Sequence, residues 1–572
     1  MDFTTAFARA IELELAKQRR GGWRRANDRE AVAWSGTRQF SALWRIRLPA
    51  RLGFGERLTH FFLGIDRRFP WSEPRVAAPE VPTDYSWPHI EPDGVLCLPE
   101  TDAGQGAGAR AIWVLGAAVD LLSLDTATRR DEFAREFATY WSRRATTSQR
   151  VISLCRPTGP SREVCYWRAA DETFCVVGDG EQEVAAWLAN SGRAANTGRT
   201  FLSRLVWLDA PPVPVDFPVV AANVVDLCVD MDLSGYLRKG ERLRILLGAQ
   251  TVTGPVLVGV TLPEFRKARS RKWIGKKEGT ALPDSRPAGA TQWTMFREPP
   301  LADRAVERNV VERADAAWIH GRGAPGDHES LMGARAAVVG CGSLGSAVAR
   351  LLAQAGVGEL LFVDGDTLSS ANTGRHVLGS TFVRANKARA MKTALNRDFP
   401  HVVVEAVPEY VENLGEADWG RLDRCDVVVS AGIDLAGEAS LDAWRSADER
   451  CPWVASWVEE YAVAGHAVLL FGTDKLLARF DASGRPDFRL SDWPNGSGLL
   501  EAGCGNSFQP FSAIDLAGTS MLVARAVLDV LTQVARETCR REWLGDRARV
   551  VQLGGVPRPT FDLSHGARDL TW

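Results

Sequence analysis

The sequence predicts a multidomain protein that combines α+β and α/β folds, and three observations support this. Residues 335–363 read as strand, glycine turn, helix and second strand, which is the pattern of a βαβ unit. Residues 1–150 show a helical pattern, then strand-like runs, then further helical patterns, an order typical of an α+β domain. The chain has 572 residues, enough for about three domains. We expect these domains at 1–150, 151–300 and 301–572.

The glycine turn of the third domain predicts a nucleotide site. Gly340, Gly342 and Gly345 have the G-x-G-x-x-G spacing and lie between a short apolar strand and a helix predicted over 343–355. Glycine lets the backbone approach a phosphate closely, and the N–H groups at a helix start favour an anion. Asp364 ends the second strand, close to where an acidic residue meets a ribose hydroxyl in Rossmann-like domains. The pattern predicts an adenosine ligand and leaves NAD, FAD, S-adenosylmethionine and ATP open.

A polar series follows the second strand. It consists of Asp366, Asn372, Arg375 and Lys387. Two cations suit a triphosphate better than a nicotinamide, so ATP is favoured and an NAD-dependent oxidoreductase is disfavoured; solvated surface charges are the alternative. With the glycine loop, the series resembles the adenylation domain of the ThiF-like and ubiquitin-activating enzyme family. The matching segments are GCGSLG, DGD, SANTGR and ANK.

This resemblance implies a role for each polar residue. Asp364, within the D-x-D segment, would hold the ribose. Asn372, Arg375 and Lys387 would bind the phosphates, the two cations also acting in catalysis. Asp434, in SAGID after a buried strand, would hold Mg²⁺. ATP and Mg²⁺ are therefore the expected cofactors.

Such enzymes also use an arginine upstream of the glycine loop. Either Arg313 or Arg322 could supply it, and the spacing does not choose between them. The family's common zinc cysteine pairs are missing from this sequence, so no zinc is expected.

A second candidate site lies in the first domain. The turn at Asp93 and Gly94 precedes Val-Leu-Cys-Leu and presents Cys97. The order of helix, meander, proline-rich segment, cysteine, tryptophan and helices resembles the ubiquitin-conjugating fold. Where that family has His-Pro-Asn, this chain has Trp-Pro-His, so His89 replaces the asparagine credited with supporting the oxyanion. His89 could donate the equivalent hydrogen bond, or it could be structural; Cys97 could be a buried structural thiol.

Cys504 is the third candidate. It lies between two glycines, ahead of a helix predicted from about residue 513, and a thiolate is favoured near a helix N-terminus. In ubiquitin-activating relatives a cysteine in this kind of position takes the acyl group from the adenylate. Core packing is the alternative interpretation.

The order of conjugating, connecting and activating domains resembles the fused ubiquitin-transfer-like enzymes of bacterial CBASS antiphage operons. The resemblance implies ATP-dependent activation of a partner's C-terminal carboxylate, thioesters on Cys504 and then Cys97, and conjugation to a lysine-bearing target. The partner would be a cGAS-like nucleotidyltransferase, and the activating domain would form a homodimer. Conjugation of a separate ubiquitin-like protein from another operon, or activation of a sulfur carrier, are the alternatives.

Composition sets further expectations. Charged residues make up 24% and apolar residues 45%, with no apolar run of 18 residues, so no membrane association is expected. The first 20 residues lack the features of a signal peptide, so we expect a cytoplasmic protein. A net charge of −2 gives no general attraction to nucleic acid. The middle domain is expected to be an α+β connecting domain without chemistry, with strand-like stretches at 173–177, 219–228 and 251–260.

Overall fold

The fold is taken from a computed structural model. It describes residues 3–18, 22–27, 29–30, 40–48, 58–81, 83, 85–146, 149–193, 198–228, 236, 241–264, 303–321, 328–447, 450–500, 507–562 and 566–572. The chain divides into two compact units. One comprises Met1–Gln149, Pro157–Arg162 and Ser203–Val311, and the other comprises Arg150–Arg156, Glu163–Leu202 and Glu312–Trp572. Parts of the predicted middle domain fall in each unit, and the boundaries 1–150, 151–300 and 301–572 stay a prediction.

The first unit begins with an α+β arrangement. An antiparallel sheet has the strand order Trp23–Arg25, Ala42–Arg47, His60–Ile65, Arg75–Ala77. Helix Phe3–Lys17 packs against helix Ala107–Leu122, and Gly108 permits the close approach, since a Cβ there would lie 3.0 Å from the carbonyl oxygen of Ala10. Two shorter helices follow at Thr126–Arg135 and Phe137–Arg143. The predicted α+β fold of this region is confirmed.

The rest of the first unit is mostly β-structure. Strands Arg244–Thr251 and Gly254–Thr261 form an antiparallel hairpin, strand Glu307–Arg313 pairs with the second of them, and the end of strand Gly198–Leu208 runs parallel to the first. Buried Trp141 donates to the carbonyl oxygens of Gly259 and Asn309, both at 3.2 Å, and so joins helix Phe137–Arg143 to this hairpin and its neighbour.

One of the three strand predictions in the middle of the chain, at 219–228, is wrong. Residues Ala221–Leu227 form a helix because the Asn223 side chain accepts hydrogen bonds from the Val219 and Val220 N–H groups at its start, which outweighs the strand preference of the valines. The prediction at 251–260 is confirmed for residues 254–260, which belong to strand Gly254–Thr261, while residues 252–253 form the turn of the hairpin. The prediction at 173–177 is confirmed as strand Phe174–Gly178.

The second unit is dominated by an eight-stranded sheet. Its strand order is Val403–Val407, Glu359–Val363, Arg335–Val339, Val427–Ala431, Trp453–Val458, Ala464–Leu470, Cys539–Leu544, Gly566–Thr571. The first five strands are parallel and the last three antiparallel. The helices of this unit are Glu181–Asn190, Ala316–His320, His328–Gly333, Ser343–Ala355, Lys387–Asp398, Glu416–Leu422, Leu435–Ala447, Ala513–Leu531 and Arg547–Gln552. Strands Arg150–Ser153, Arg162–Ala169 and Phe174–Gly178 also belong mainly to it.

The strand order of this sheet decides where its ligand site lies. The chain goes outward in one direction from strand Arg335–Val339 and later restarts on its other side at strand Val427–Ala431. Ligands of such open α/β sheets bind beyond the carboxyl ends of the strands at this reversal. The predicted Rossmann-like α/β fold is confirmed, and Gly340 and Gly432 immediately follow the two strands.

Within the part of the chain that the structure describes, no single helix is long and apolar enough to cross a membrane. One pair of helices, Ala107–Leu122 with Thr126–Arg135, meets the length and composition criteria only when taken together, and is bent by 106°.

Candidate active sites

The three loop glycines differ in whether the surrounding structure leaves room for a side chain. Gly340 has a φ of +87°, which side chains rarely adopt, and a Cβ there would lie 2.6 Å from the Ile433 side chain. A Cβ on Gly345 would lie 1.8 Å from the carbonyl oxygen of Gly340. A Cβ on Gly342 would contact nothing within 4 Å, and Gly342 is the N-cap of helix Ser343–Ala355, with no side chain capping it. Gly340 and Gly345 are thus needed by the fold, whereas Gly342 leaves open space at a helix start.

Asp364 braces this glycine loop. Its Oδ2 accepts a hydrogen bond from the Cys341 N–H at 2.6 Å, and its Oδ1 accepts one from the Asp366 N–H at 2.7 Å. Burial raises the pKa of the Asp364 carboxyl, and these two N–H donors act in the opposite direction. Asp364 therefore fixes the loop through hydrogen bonds to its backbone, and its role at the ribose stays a prediction.

His376 supports the same loop and was missed by the sequence analysis. Its Nδ1 accepts from the Leu378 N–H at 3.0 Å, so its Nε2 carries the proton and donates to the Cys341 carbonyl at 2.7 Å. Burial lowers the pKa of His376, which favours this neutral form. The available signal was its position directly after Arg375 in the SANTGRH segment.

Asp366, Lys387 and Tyr410 form a second contact group. Lys387 Nζ lies 2.7 Å from Asp366 Oδ2, and the Tyr410 hydroxyl donates to Asp366 Oδ1 at 2.8 Å. Burial acts to raise the pKa of Asp366, but the bonds from Lys387 and Tyr410 outweigh it and the pKa is lowered. The sequence predicted Asp366 and Lys387 but not Tyr410, which comes from the loop after strand Val403–Val407.

These groups surround a cavity of about 250 Å³ at the strand reversal. Of the predicted residues it is lined by Gly340, Gly342, Asp364, Asp366, Lys387 and Asp434. Side chains that the sequence did not predict complete the lining, among them Glu409, Tyr410, Val411, Glu412 and Ile433. Asp434 Oδ1 also accepts from the Gly437 N–H at 2.9 Å. Carboxylates outnumber cations here, and among the described residues no three possible ligands converge on one metal position.

Three predicted residues lie apart from this lining. Gly345 is packed against Gly340. Asn372 accepts from the Ser369 N–H at 3.0 Å within a short 3₁₀ turn. Arg375 donates to the Gln509 carbonyl at 3.2 Å, and its guanidinium lies 4.6 Å from the centre of the Phe511 ring. Their predicted roles at the phosphates stay predictions.

Of the two upstream arginines, the structure describes Arg313. Arg313 makes a paired contact with Asp315, at 2.8 and 2.9 Å, and stacks over Trp318 at 4.6 Å. Arg322 lies outside the described residues, as does Cys504. The helix predicted after Cys504 is present as Ala513–Leu531, and Asp515 accepts from the N–H and the hydroxyl of its N-cap Ser512, at 2.8 and 2.7 Å.

The first unit holds the Cys97 site. Cys97 is exposed, and its backbone N–H donates to the His89 carbonyl at 2.7 Å. His89 has a φ of +57°, an unusual value for a residue other than glycine. The His89 N–H in turn donates to the Tyr140 hydroxyl at 2.7 Å. The buried Tyr140 on helix Phe137–Arg143 thereby fixes the His89 backbone, which in turn positions the backbone of Cys97.

The His89 ring faces two carboxylates that the sequence did not predict. Its Nε2 lies 3.1 Å from Glu132 Oε2, and its Nδ1 lies 3.6 Å from Glu136 Oε2. Burial raises the pKa of Tyr140 to about 12, so its hydroxyl stays protonated at neutral pH. The predicted role of the His89 ring at an oxyanion stays a prediction.

Comparison with known families agrees with both halves of the structure. Residues 320–471 match the ThiF family, and residues 44–149 match prokaryotic E2 family B. The α/β sheet with its glycine-loop cavity and the separate α+β domain with an exposed cysteine agree with these two matches. Together they define the chain as an ATP-dependent activating and conjugating enzyme of the ubiquitin-like type.

Individual relatives confirm the predicted resemblance to fused transferases. The chain is 26% identical over 497 residues to the ATP-dependent ubiquitin transferase-like protein Cap2 of Pseudomonas aeruginosa, covering 83% of this chain and 86% of that protein. It is 28% identical over 217 residues to a Cap2 protein of Enterobacter hormaechei, covering 37% and 36%. Ubiquitin-like modifier-activating enzyme 5 of Dictyostelium discoideum is 24% identical over 188 residues, covering 31% and 49%.

Proposed function

We propose that the chain activates the C-terminal carboxylate of a partner protein with ATP, carries it as a thioester on Cys504 and then on Cys97, and joins it to a lysine of a target. The observation that carries this proposal is the presence of two chemically different sites on one chain. One is a cavity built on a glycine loop with Lys387, and the other is an exposed Cys97 held by backbone hydrogen bonds.

The activation step uses the cavity at the strand reversal. The partner's carboxylate oxygen attacks the α-phosphorus of ATP and pyrophosphate leaves, giving an acyl-adenylate. Gly342 and the helix start at Ser343 offer open space and N–H groups for phosphate oxygens, and Lys387 is a cation in the described cavity lining. Lys387 would have to exchange its contact with Asp366 for one with a phosphate.

Magnesium fits this donor set. Asp434 and the neighbouring carboxylates are hard oxygen ligands, and Mg²⁺ usually binds through one or two carboxylates together with substrate phosphates. Asp434 would hold the ion, which would neutralise charge on the leaving pyrophosphate. Without such a cation, the carboxylates that line the cavity would repel a triphosphate.

The transfer steps are acyl exchanges between sulfur nucleophiles. The Cys504 thiolate attacks the adenylate carbonyl and AMP leaves; the Cys97 thiolate then attacks the Cys504 thioester. A target amine finally attacks the Cys97 thioester and releases the thiol. The glycine-flanked setting of Cys504 and the exposure of Cys97 support these assignments.

The partner would be a cGAS-like nucleotidyltransferase, acting in CBASS antiphage defence in the cytoplasm, and the activating domain would form a homodimer. This part of the proposal rests on the resemblance to fused CBASS transferases and on the similarity to Cap2. A separate ubiquitin-like protein is the alternative partner. If the chain activated a sulfur carrier instead, Cys97 would form no thioester.

Pyrophosphate exchange tests the activation site. Asp434→Ala and Lys387→Ala should each abolish ATP–pyrophosphate exchange that depends on the partner's C-terminus. Glu416→Ala, which removes an exposed carboxylate outside the cavity lining, should leave exchange unchanged. Retained exchange in both cavity variants would refute the assignment.

Thioester trapping tests the relay. Cys504→Ala should permit adenylation but leave neither cysteine charged, whereas Cys97→Ala should leave a thioester on Cys504. Mass spectrometry of the trapped chain identifies the charged residue and the attached C-terminus. Normal charging of Cys97 without Cys504 would show direct transfer from the adenylate.

A further inference from the structure

The Cys97 site contains a histidine that both of its neighbouring helices hold in place. The His89 backbone is fixed from both sides, by the Tyr140 hydroxyl and by the Cys97 N–H, each at 2.7 Å. These two bonds account for the unusual backbone at φ +57°. The ring contacts with Glu132 and Glu136 are therefore additional to what positions the backbone.

The ring contacts define what the imidazole can do. Glu132 Oε2 at 3.1 Å from Nε2 is within hydrogen-bond distance, so this nitrogen carries a proton and donates it. The other nitrogen, Nδ1, lies 3.6 Å from Glu136 Oε2, too far for a direct hydrogen bond in a neutral ring. Nδ1 is then free to accept a proton, and the resulting imidazolium would have a carboxylate beside each nitrogen.

This is the arrangement of a histidine base oriented by a carboxylate. The second oxygen of Glu132 contacts Arg135 at 3.5 Å, which holds the carboxylate on this side of helix Thr126–Arg135. The His89 side chain is 18% exposed and that of Glu136 is 38% exposed, so both side chains border solvent, as the exposed Cys97 does.

We propose that His89, positioned by Glu132, takes a proton from the incoming alkyl ammonium when Cys97 is discharged, and that Glu136 stabilises the imidazolium that forms. This deepens the proposed function, on which it rests, by naming the proton acceptor for the amine. R–NH₃⁺ gives one proton to Nδ1, and the free lone pair attacks the thioester carbonyl carbon. The new C–N bond forms as the C–S bond breaks, a second nitrogen proton goes to the Cys97 sulfur, and His89 later releases its proton to water.

Discharge to two different nucleophiles tests the proposal. Cys97 of the full-length Cys504→Ala chain is loaded from a synthetic peptide thioester, without ATP, and freed of excess thioester. Single-turnover discharge is then followed at neutral pH with lysine, which is a cation, and with hydroxylamine, which is already neutral. A proton acceptor matters for lysine and much less for hydroxylamine.

His89→Gly removes the ring, and glycine suits the backbone at φ +57°. Lysine discharge should fall about a hundredfold or more in His89→Gly, a typical size for loss of a general base, while hydroxylamine discharge stays within about twofold. Added imidazole should restore part of the lysine rate in this variant. Glu132→Gln should slow lysine discharge about tenfold or more, because the amide no longer stabilises the imidazolium, and Glu132→Asp should restore part of it. Asp131→Asn removes an exposed carboxylate on the same helix and should change neither rate.

Equal losses with both nucleophiles in His89→Gly would overturn the proposal, and would instead support an oxyanion donor or a structural role. Unchanged lysine discharge in His89→Gly or in Glu132→Gln would also overturn it. Chemical loading keeps this test separate from the proposed relay. If ATP-dependent charging of Cys97 fails while chemically loaded Cys97 shows the selective loss, the relay is wrong and the proton acceptor stands.

Discussion

Glu438 should make the activating unit less stable as the pH rises. It lies on helix Leu435–Ala447, is only 6% exposed, and the Ser430 hydroxyl lies 3.0 Å from both of its carboxylate oxygens. Burial raises the pKa of Glu438 to about 8, and the charges of Asp442 and Asp434 add to this while the Ser430 bond opposes it. At neutral pH the folded protein therefore keeps a proton that the unfolded chain releases.

The sign and size of the effect follow from linkage. An acid whose pKa is raised on folding contributes stability that is fully present below its ordinary value of 4.5 and is lost as the pH rises through about 8. Each pKa unit corresponds to about 1.4 kcal/mol in the free energy of unfolding. The contribution of Glu438 therefore falls by about 5 kcal/mol over the whole interval and by about 3 kcal/mol up to pH 7. Glu438→Gln resembles the protonated acid in shape and cannot ionise. Between pH 4.5 and pH 7, the free energy of unfolding of Glu438→Gln should therefore rise by about 3 kcal/mol relative to that of the wild type.

Hydrogen exchange measures this in the full-length chain. The opening free energy of the amides in strand Val427–Ala431, followed by mass spectrometry between pH 5 and pH 9, should fall with pH in the wild type. It should stay flatter in Glu438→Gln. Glu416→Gln, which alters an exposed carboxyl group, should follow the wild type. Parallel profiles for the wild type and Glu438→Gln would refute the raised pKa.

Three further predictions concern the glycine loop and its neighbours. Gly345→Ala should prevent correct folding of the activating unit, seen as loss of exchange protection, because its Cβ would meet the Gly340 carbonyl oxygen at 1.8 Å. Gly342→Ala should keep that protection but weaken ATP binding in equilibrium titrations, since its Cβ would enter open space at the helix start. Unchanged affinity would show that no phosphate binds at this position. Tyr410→Phe should raise the KM for ATP in pyrophosphate exchange about three- to tenfold, which corresponds to the loss of one hydrogen bond to Asp366. An unaltered KM would show that Tyr410 has only a structural role.

Part of the nucleotide site could be predicted from the sequence because its residues follow one another along the chain. Gly340, Gly342 and Asp364 all belong to one βαβ unit, and local spacing is enough to place them together. The helix at Ser343–Ala355 also follows from local apolar periodicity, and its bounds are those predicted.

The sequence by itself therefore determined the fold classes, the glycine loop, Asp366 with Lys387, and Cys97 with His89, since each depends on neighbours within a short stretch. Only the tertiary structure decided which groups complete these sites. Tyr410 reaches Asp366 from a loop 44 residues away, and Glu132 reaches His89 from a helix 43 residues away. Neither has a local sequence signal, because an ordinary tyrosine or glutamate acquires its role from packing. The helix at Ala221–Leu227 was missed for a different reason, since its signal, capping by Asn223, is local but competes with the strand preference of its valines.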